Sequence, residues 1–204
     1  MTDAAILATQ QAWNQWGSST TKNKISNRAY YIANHWNSDI AAGNSSYEIT
    51  VYNHYSDKPV LSSPSDTCNA LSQSQSWLSQ YTSLFSTYDC LVVLDNRTYG
   101  DGATGCAYQN RAGTNYGVGY VNGNGGNFTA GQELGHTYGG KHAATKQDAQ
   151  NGDSTFESTA TQHSIMGNYG QWDCNINHSY TYNGNWYSNC TQTAVRNYID
   201  NNGL

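Results

Sequence analysis

Through its first two thirds the chain alternates short apolar runs with longer stretches of helical period, and this order narrows the fold more than any other feature. Residues 4–9 (AAILAT) suit a short buried strand. Between residues 20 and 40, Ile25, Ala29, Ile32 and Trp36 recur at helical spacing. Residues 47–55 alternate, with Tyr47, Ile49 and Val51 on one face, which reads as a strand. Residues 68–85 put Leu71, Trp77, Leu78, Tyr81 and Phe85 on one stripe of a second helix. Residues 90–94 (CLVVL) are the clearest buried strand, with shorter strands expected at 106–109 and 116–121. A helix is predicted from Thr129 to the Gly139-Gly140 pair, which suits a C-cap, and a last helix over about 191–200. Strand–helix–strand–helix–strand implies an α/β fold with a twisted mixed sheet covered by helices. After residue 142 regular pattern is scarce until the last helix, and such a segment needs cysteines or a metal to hold it.

Composition excludes several classes of function. The 204 residues suit one domain, or one domain split by a cleft. With 9 Lys and Arg and a net charge of -5, the chain lacks the basic footprint of a nucleic-acid binder. The longest aliphatic run, Leu91-Val92-Val93-Leu94, is far too short to span a bilayer. The first twenty residues show neither the basic nor the long apolar region of a secretory signal. Five cysteines, Cys68, Cys90, Cys106, Cys174 and Cys190, include no C-x-x-C pair, so disulfides and a secreted, extracellular home are expected rather than a cysteine zinc site. The odd count leaves one thiol free or without its partner. Cys68 and Cys90 bracket the second helix, which is too long to let them meet unless the chain doubles back after Phe85.

The chemistry is concentrated in residues 132–142, Gln-Glu-Leu-Gly-His-Thr-Tyr-Gly-Gly-Lys-His. Against the zinc-binding consensus H-E-x-x-H-x-x-G-x-x-H every fixed position matches except the first, where Gln132 replaces His. Gln132 and His136 stand four residues apart on one helical face, so both can reach one ion. Glu133 is turned by about 100° and can lean over a water bound to that ion. Gly139 lets the backbone leave the helix with positive φ, and His142 then approaches from below. The E-x-x-H-x-x-G-x-x-H part arises by chance in roughly one such chain in two thousand. Downstream come Ser164-Ile165-Met166 and Tyr169, and a Met placed after the long motif is the second mark of this class of site. His163 is a further candidate for the missing ligand. His35, His54 and His178 read as structural or exposed.

On these residues the chain resembles the metzincin superfamily of zinc endopeptidases, and most closely its adamalysin-like (reprolysin) branch. Residues 89–94 followed by residues 101–108 (DGATGCAY) look like that branch's third and fourth strands, and residues 186–191 (WYSNCT) look like its approach to the last helix. The resemblance runs from about residue 4 to residue 198. It implies a metzincin-like fold: an upper part, 1–142, with the sheet and the motif helix, and an irregular lower part, 143–204, with the Met turn and C-terminal helix. It implies Zn as cofactor, His136, His142 and Gln132 as its ligands, and Met166 beneath it. Glu133 is then the general base in peptide-bond hydrolysis, with Tyr169 a second catalytic candidate. An edge strand at Gly105, Cys106, Ala107 and Tyr108 would pair with an extended peptide or protein substrate. The expected protein is a mature catalytic domain, monomeric, with no nucleic-acid or membrane partner. The resemblance also sets Cys190 against the upper part, with Cys106 a candidate partner; Cys174–Cys190 is the local competitor, and one thiol is left free.

The chain departs from the family in three places. Ala143 follows the third His, where reprolysins usually carry Asp, and Tyr169 stands one residue further from the Met than a zinc-reaching Tyr does in related branches. Gln132 matters most, because a neutral amide oxygen holds zinc more weakly than imidazole. Three readings follow: an enzyme working with a Gln ligand or a water in its place, an introduced or recent change weakening a working parent, or an inactive protein-binding domain that kept the cleft. A secreted surface-coat protein is a third class, suggested by the abundance of Asn, Tyr and Ser.

Overall fold

The computed structural model describes residues 2–140, 158–159, 162–163 and 189–204. Among them are strands β1 (Thr2–Ala8), β2 (Ile49–Asn53), β3 (Cys90–Leu94), β4 (Gly105–Ala107), β5 (Val118–Val121), β6 (Ser158–Thr159) and β7 (Gln162–His163). The α-helices are α1 (Gln10–Trp16), α2 (Ser18–His35), α3 (Thr67–Tyr81), α4 (Asn127–Thr137) and α5 (Asn189–Asn202). Five strands form one sheet in the order β2-β1-β3-β5-β4, and β6 pairs with β7 apart from it. Within the sheet β2, β1, β3 and β5 run parallel, whereas β4 lies antiparallel to β5 at the edge. The chain is thus a mixed α/β domain.

Parallel strands covered on both faces need apolar residues at every position, and β3 and β5 are buried along their whole length. Alternation then divides the core in two. Cys90, Val92 and Leu94 join Ile6 and Val121 against Ile25 and Ile32 of α2, Ala130 and Leu134 of α4, and Val195 and Ile199 of α5. Leu91 and Val93 join Leu7, Val118 and Tyr120 on the other face, against Ala70, Leu71 and Leu78 of α3.

Several boundaries differ from the sequence expectation for local reasons. The expected strand over 4–9 ends at Ala8, because Thr9 caps a helix that apolar period does not announce: its Oγ1 accepts from the Ala12 N–H at 3.1 Å. The helix expected over 20–40 begins at Ser18 and passes after His35 into a wide π-helical turn, Trp36–Ala41, closed by left-handed Ala42. That turn keeps Trp36 and Ile40 inside. The last helix packs on this core through Val195 and Ile199. The Arg196 Nε–H donates to the Ile40 carbonyl at 2.7 Å and the Tyr198 hydroxyl to the Ala112 carbonyl at 2.9 Å.

Cys68 is bonded to Cys106, with Cα atoms 5.3 Å apart, which overturns the Cys106–Cys190 pairing. Cys68 lies in the first turn of α3, and Cys106 sits opposite Tyr120 on the face of the sheet that α3 covers. Strand order therefore brings the start of α3 to the middle of β4. The Cys174–Cys190 alternative falls outside the described residues. Cys90 is a buried free thiol, pushed up to about 12 by burial. No described helix is long and apolar enough to cross a membrane.

Candidate metal centre

Helix α4 carries Gln132, Glu133 and His136, and it is buried from Thr129 to Thr137. Its first turn is set by α2: the buried Arg28 donates from Nη2 to the Gly125 carbonyl at 2.8 Å, just before the N-cap Gly126. Its last turn closes as a Schellman motif. The Gly140 N–H reaches the Gly135 carbonyl at 2.9 Å and the Gly139 N–H the His136 carbonyl at 3.2 Å. Gly139 has φ 92°, a conformation that a Cβ would strain. Residues 110–112 clamp the same end, where the Asn110 N–H donates to the His136 carbonyl and the Arg111 and Ala112 N–H groups to that of Thr137.

This cap also fixes the chemistry of His136. Its Nδ1 lies 2.7 Å from the Gly140 carbonyl oxygen. A carbonyl only accepts, so Nδ1 carries the proton and the neutral ring keeps its lone pair on Nε2. That is the tautomer, and the kind of backbone partner, that a metal-ligating imidazole has. Gln132, one helical turn earlier on the same face, is buried as well. Gln132 and His136 are thus the two described residues of the motif that could serve as metal ligands, although the described residues hold no group of three His, Cys, Asp or Glu that could bind an ion.

Glu133 is turned toward the sheet, and two glycines make its room. A Cβ at Gly105 would collide with the Glu133 Oε1, and one at Gly119 would stand 2.9 Å from the Glu133 Cβ. The side chain thus crosses β5 at Gly119 and ends over Gly105 of the edge strand. It is 5% exposed. Burial pushes its carboxyl from 4.5 up to about 8. A carboxyl so placed is a proton acceptor and donor near neutral pH.

Three sequence candidates, Gln132, Glu133 and His136, therefore share one buried helix, and Glu133 meets Gly105 of β4, the strand formed by Gly105, Cys106 and Ala107. Tyr108 follows the strand, and its N–H still donates to the Val118 carbonyl at 3.2 Å. His142, Met166 and Tyr169 lie outside the described residues, and His163 is described only as part of the backbone of β7. The roles of Gly119 and Cys68 were not legible in the sequence, because both depend on which strands and helices are neighbours.

No known family's sequence profile matches this chain, and no curated protein matches it. Among solved structures it is similar to a chain from the structure of a chaperone–substrate complex, at 14% identity and a TM-score of 0.63. The match covers 98% of this chain and 34% of that one, so the present chain spans about a third of that chain's length. At this identity the likeness is one of fold.

Proposed function

We propose that this domain is a secreted zinc-dependent endopeptidase of metzincin type, built on a metzincin-like fold and acting on extended peptide segments. The observation that carries the reading is the pairing of E-x-x-H-x-x-G-x-x-H with a buried helix on which His136 presents the ligand tautomer beside a carboxyl poised near neutrality. Zinc, held by His136, His142 and Gln132, would supply Lewis acidity to a water and to the scissile carbonyl. Glu133 takes the proton of that water and passes it to the leaving amine. A cation held by the neighbouring ligands would draw its raised pKa back down and so favour its role as a base. On this reading Met166 would be the methionine of the turn beneath the metal, and Tyr169 the candidate to hold developing charge on the carbonyl. The Cys68–Cys106 disulfide supports an extracellular location.

Gln132 favours a second reading, a catalytically inactive protein-binding domain that keeps the cleft. Zinc titration by calorimetry and cleavage of casein separate the two. The enzyme binds about one zinc per chain and cleaves casein in a chelator-sensitive way. Gln132→His should tighten zinc by several kcal/mol, a share of the ~10 kcal/mol that such sites supply. If it binds zinc no better than the unsubstituted chain, the ligand roles of His136 and His142 are wrong. If it binds zinc tightly and cleaves nothing, the binding-domain reading stands.

A further inference from the structure

The edge strand β4 has only three residues, and β5 is its one ladder partner among the described residues. The ladder alternates. The Asn122 N–H donates to the Thr104 carbonyl and the Tyr108 N–H to the Val118 carbonyl, so residues 104, 106 and 108 turn their backbone groups toward β5. Gly105 and Ala107 then present their N–H and C=O groups on the edge away from β5, which no described strand takes. These are the groups an added peptide strand would take. They flank Cys106, whose side chain points to the α3 face, while Gly105 faces Glu133.

A strand this short is weakly held by its own ladder. Besides α4, which packs on it and meets it at the Thr104–Thr129 hydroxyl pair, two attachments hold it from the first turn of α3. One is the disulfide from Cys106 to Cys68. The other runs through Thr67, next in sequence: its N–H and hydroxyl donate to the Asp101 carboxylate at 2.7 and 3.2 Å. Asn122, at the end of β5, donates to the Thr67 hydroxyl and to the Ala103 carbonyl. The crosslink thus grips the middle of β4 from the face opposite Glu133 and leaves the open edge clear.

We propose that Cys68 and Cys106 are positioning residues for substrate: their disulfide holds the open edge of β4 in register for an extended peptide, and reducing it weakens peptide binding while leaving the fold standing. This rests on the endopeptidase or peptide-binding reading of the same cleft. The hydrogen bonds of Thr67 with Asp101 and Asn122 survive reduction, so the loss is confined to β4 and its approach.

The test compares the oxidised protein with protein treated with a dithiol. The Cys68–Cys106 bond takes two electrons and two protons to give two thiols, and the dithiol closes to its cyclic disulfide. Hydrogen exchange is read at the Cys106 and Tyr108 amides, and binding of unfolded, fluorescein-labelled casein by anisotropy. On reduction, exchange at these amides should quicken about tenfold, with protection in β1 and β3 retained. Casein binding should weaken about tenfold, ~1.4 kcal/mol, and reoxidation should restore it. The Cys68→Ser, Cys106→Ser double variant should bind casein as the reduced protein does, with or without dithiol. In the Gln132→His background, reduction should raise KM about tenfold and keep kcat within about twofold, a split that a general loss of structure would not produce. Unchanged exchange, or faster exchange with unchanged casein binding, overturns the proposal and leaves the function of the cleft intact. If the oxidised chain takes up no casein, the peptide-cleft reading falls and this inference falls with it; zinc titration of Gln132→His then reports separately on the metal site.

Discussion

Two buried carboxylates sit on this sheet, and their surroundings are opposites. Asp95, just past β3, is fully buried and saturated with donors: the Thr9 hydroxyl at 2.9 Å, the Tyr120 hydroxyl at 2.5 Å, the Asn96 N–H at 2.7 Å and the Arg97 Nε–H at 2.8 Å. Glu133, in the middle of α4, is nearly as buried, yet only desolvation acts on its pKa. Asp95 ties the ends of β1, β3 and β5 together and is scaffold. Among the described residues Glu133 is held by shape, in the space left by Gly105 and Gly119, and none of them places a donor on its carboxyl. A buried carboxylate surrounded by donors is committed to the fold, and one without them is available to chemistry.

The contrast can be broken from either side. The largest effect is expected at Glu133. In the Gln132→His background, Glu133→Ala should lower the cleavage rate of a quenched peptide by about 10³-fold while calorimetry still finds zinc bound. Asp95→Ala should leave zinc affinity unchanged but cost about 3–5 kcal/mol in urea unfolding, because Arg97 loses its partner and several donors are orphaned. Exchanging these two phenotypes would invert the assignment.

Stability against pH sharpens the same comparison in the metal-free chain. The folded pKa of Glu133, about 8, lies above its ordinary value of 4.5. Between those values the folded state keeps a proton that the unfolded state has released, so stability falls as pH rises through the window. The loss is on the order of a few kcal/mol. Glu133→Gln should remove this slope, as measured by urea midpoints from pH 4 to 9; an unchanged slope would place its source elsewhere. Next in size is Gly119→Ala, whose Cβ crowds the Glu133 stem and should cost about 1–3 kcal/mol as overpacking. Smallest is Gly139→Ala, about 1 kcal/mol from the strained φ, read as a lowered urea midpoint.

Much of the scaffold was legible because it is written locally. The apolar run over 90–94 is β3, and the Gly139-Gly140 pair does close the motif helix. Helix α1 escaped notice because seven residues begun by a Thr9 cap carry too little apolar period to show. The disulfide was misassigned because the sequence separation of 38 between Cys68 and Cys106 says nothing about which helix lies over which strand.

The sequence by itself determined the α/β order, the helical face shared by Gln132 and His136, and the glycine that turns the chain after them. These follow from periodicity and from backbone sterics within a few residues. Only the tertiary structure decided that α3 starts beside β4, so that Cys68 reaches Cys106. It also decided that β4 lies beyond β5, so that Gly119 and Gly105 together leave a buried slot for Glu133. Proximity between distant segments depends on strand order and packing, and the burial that raises the Glu133 carboxyl belongs to that assembly rather than to any one stretch of chain.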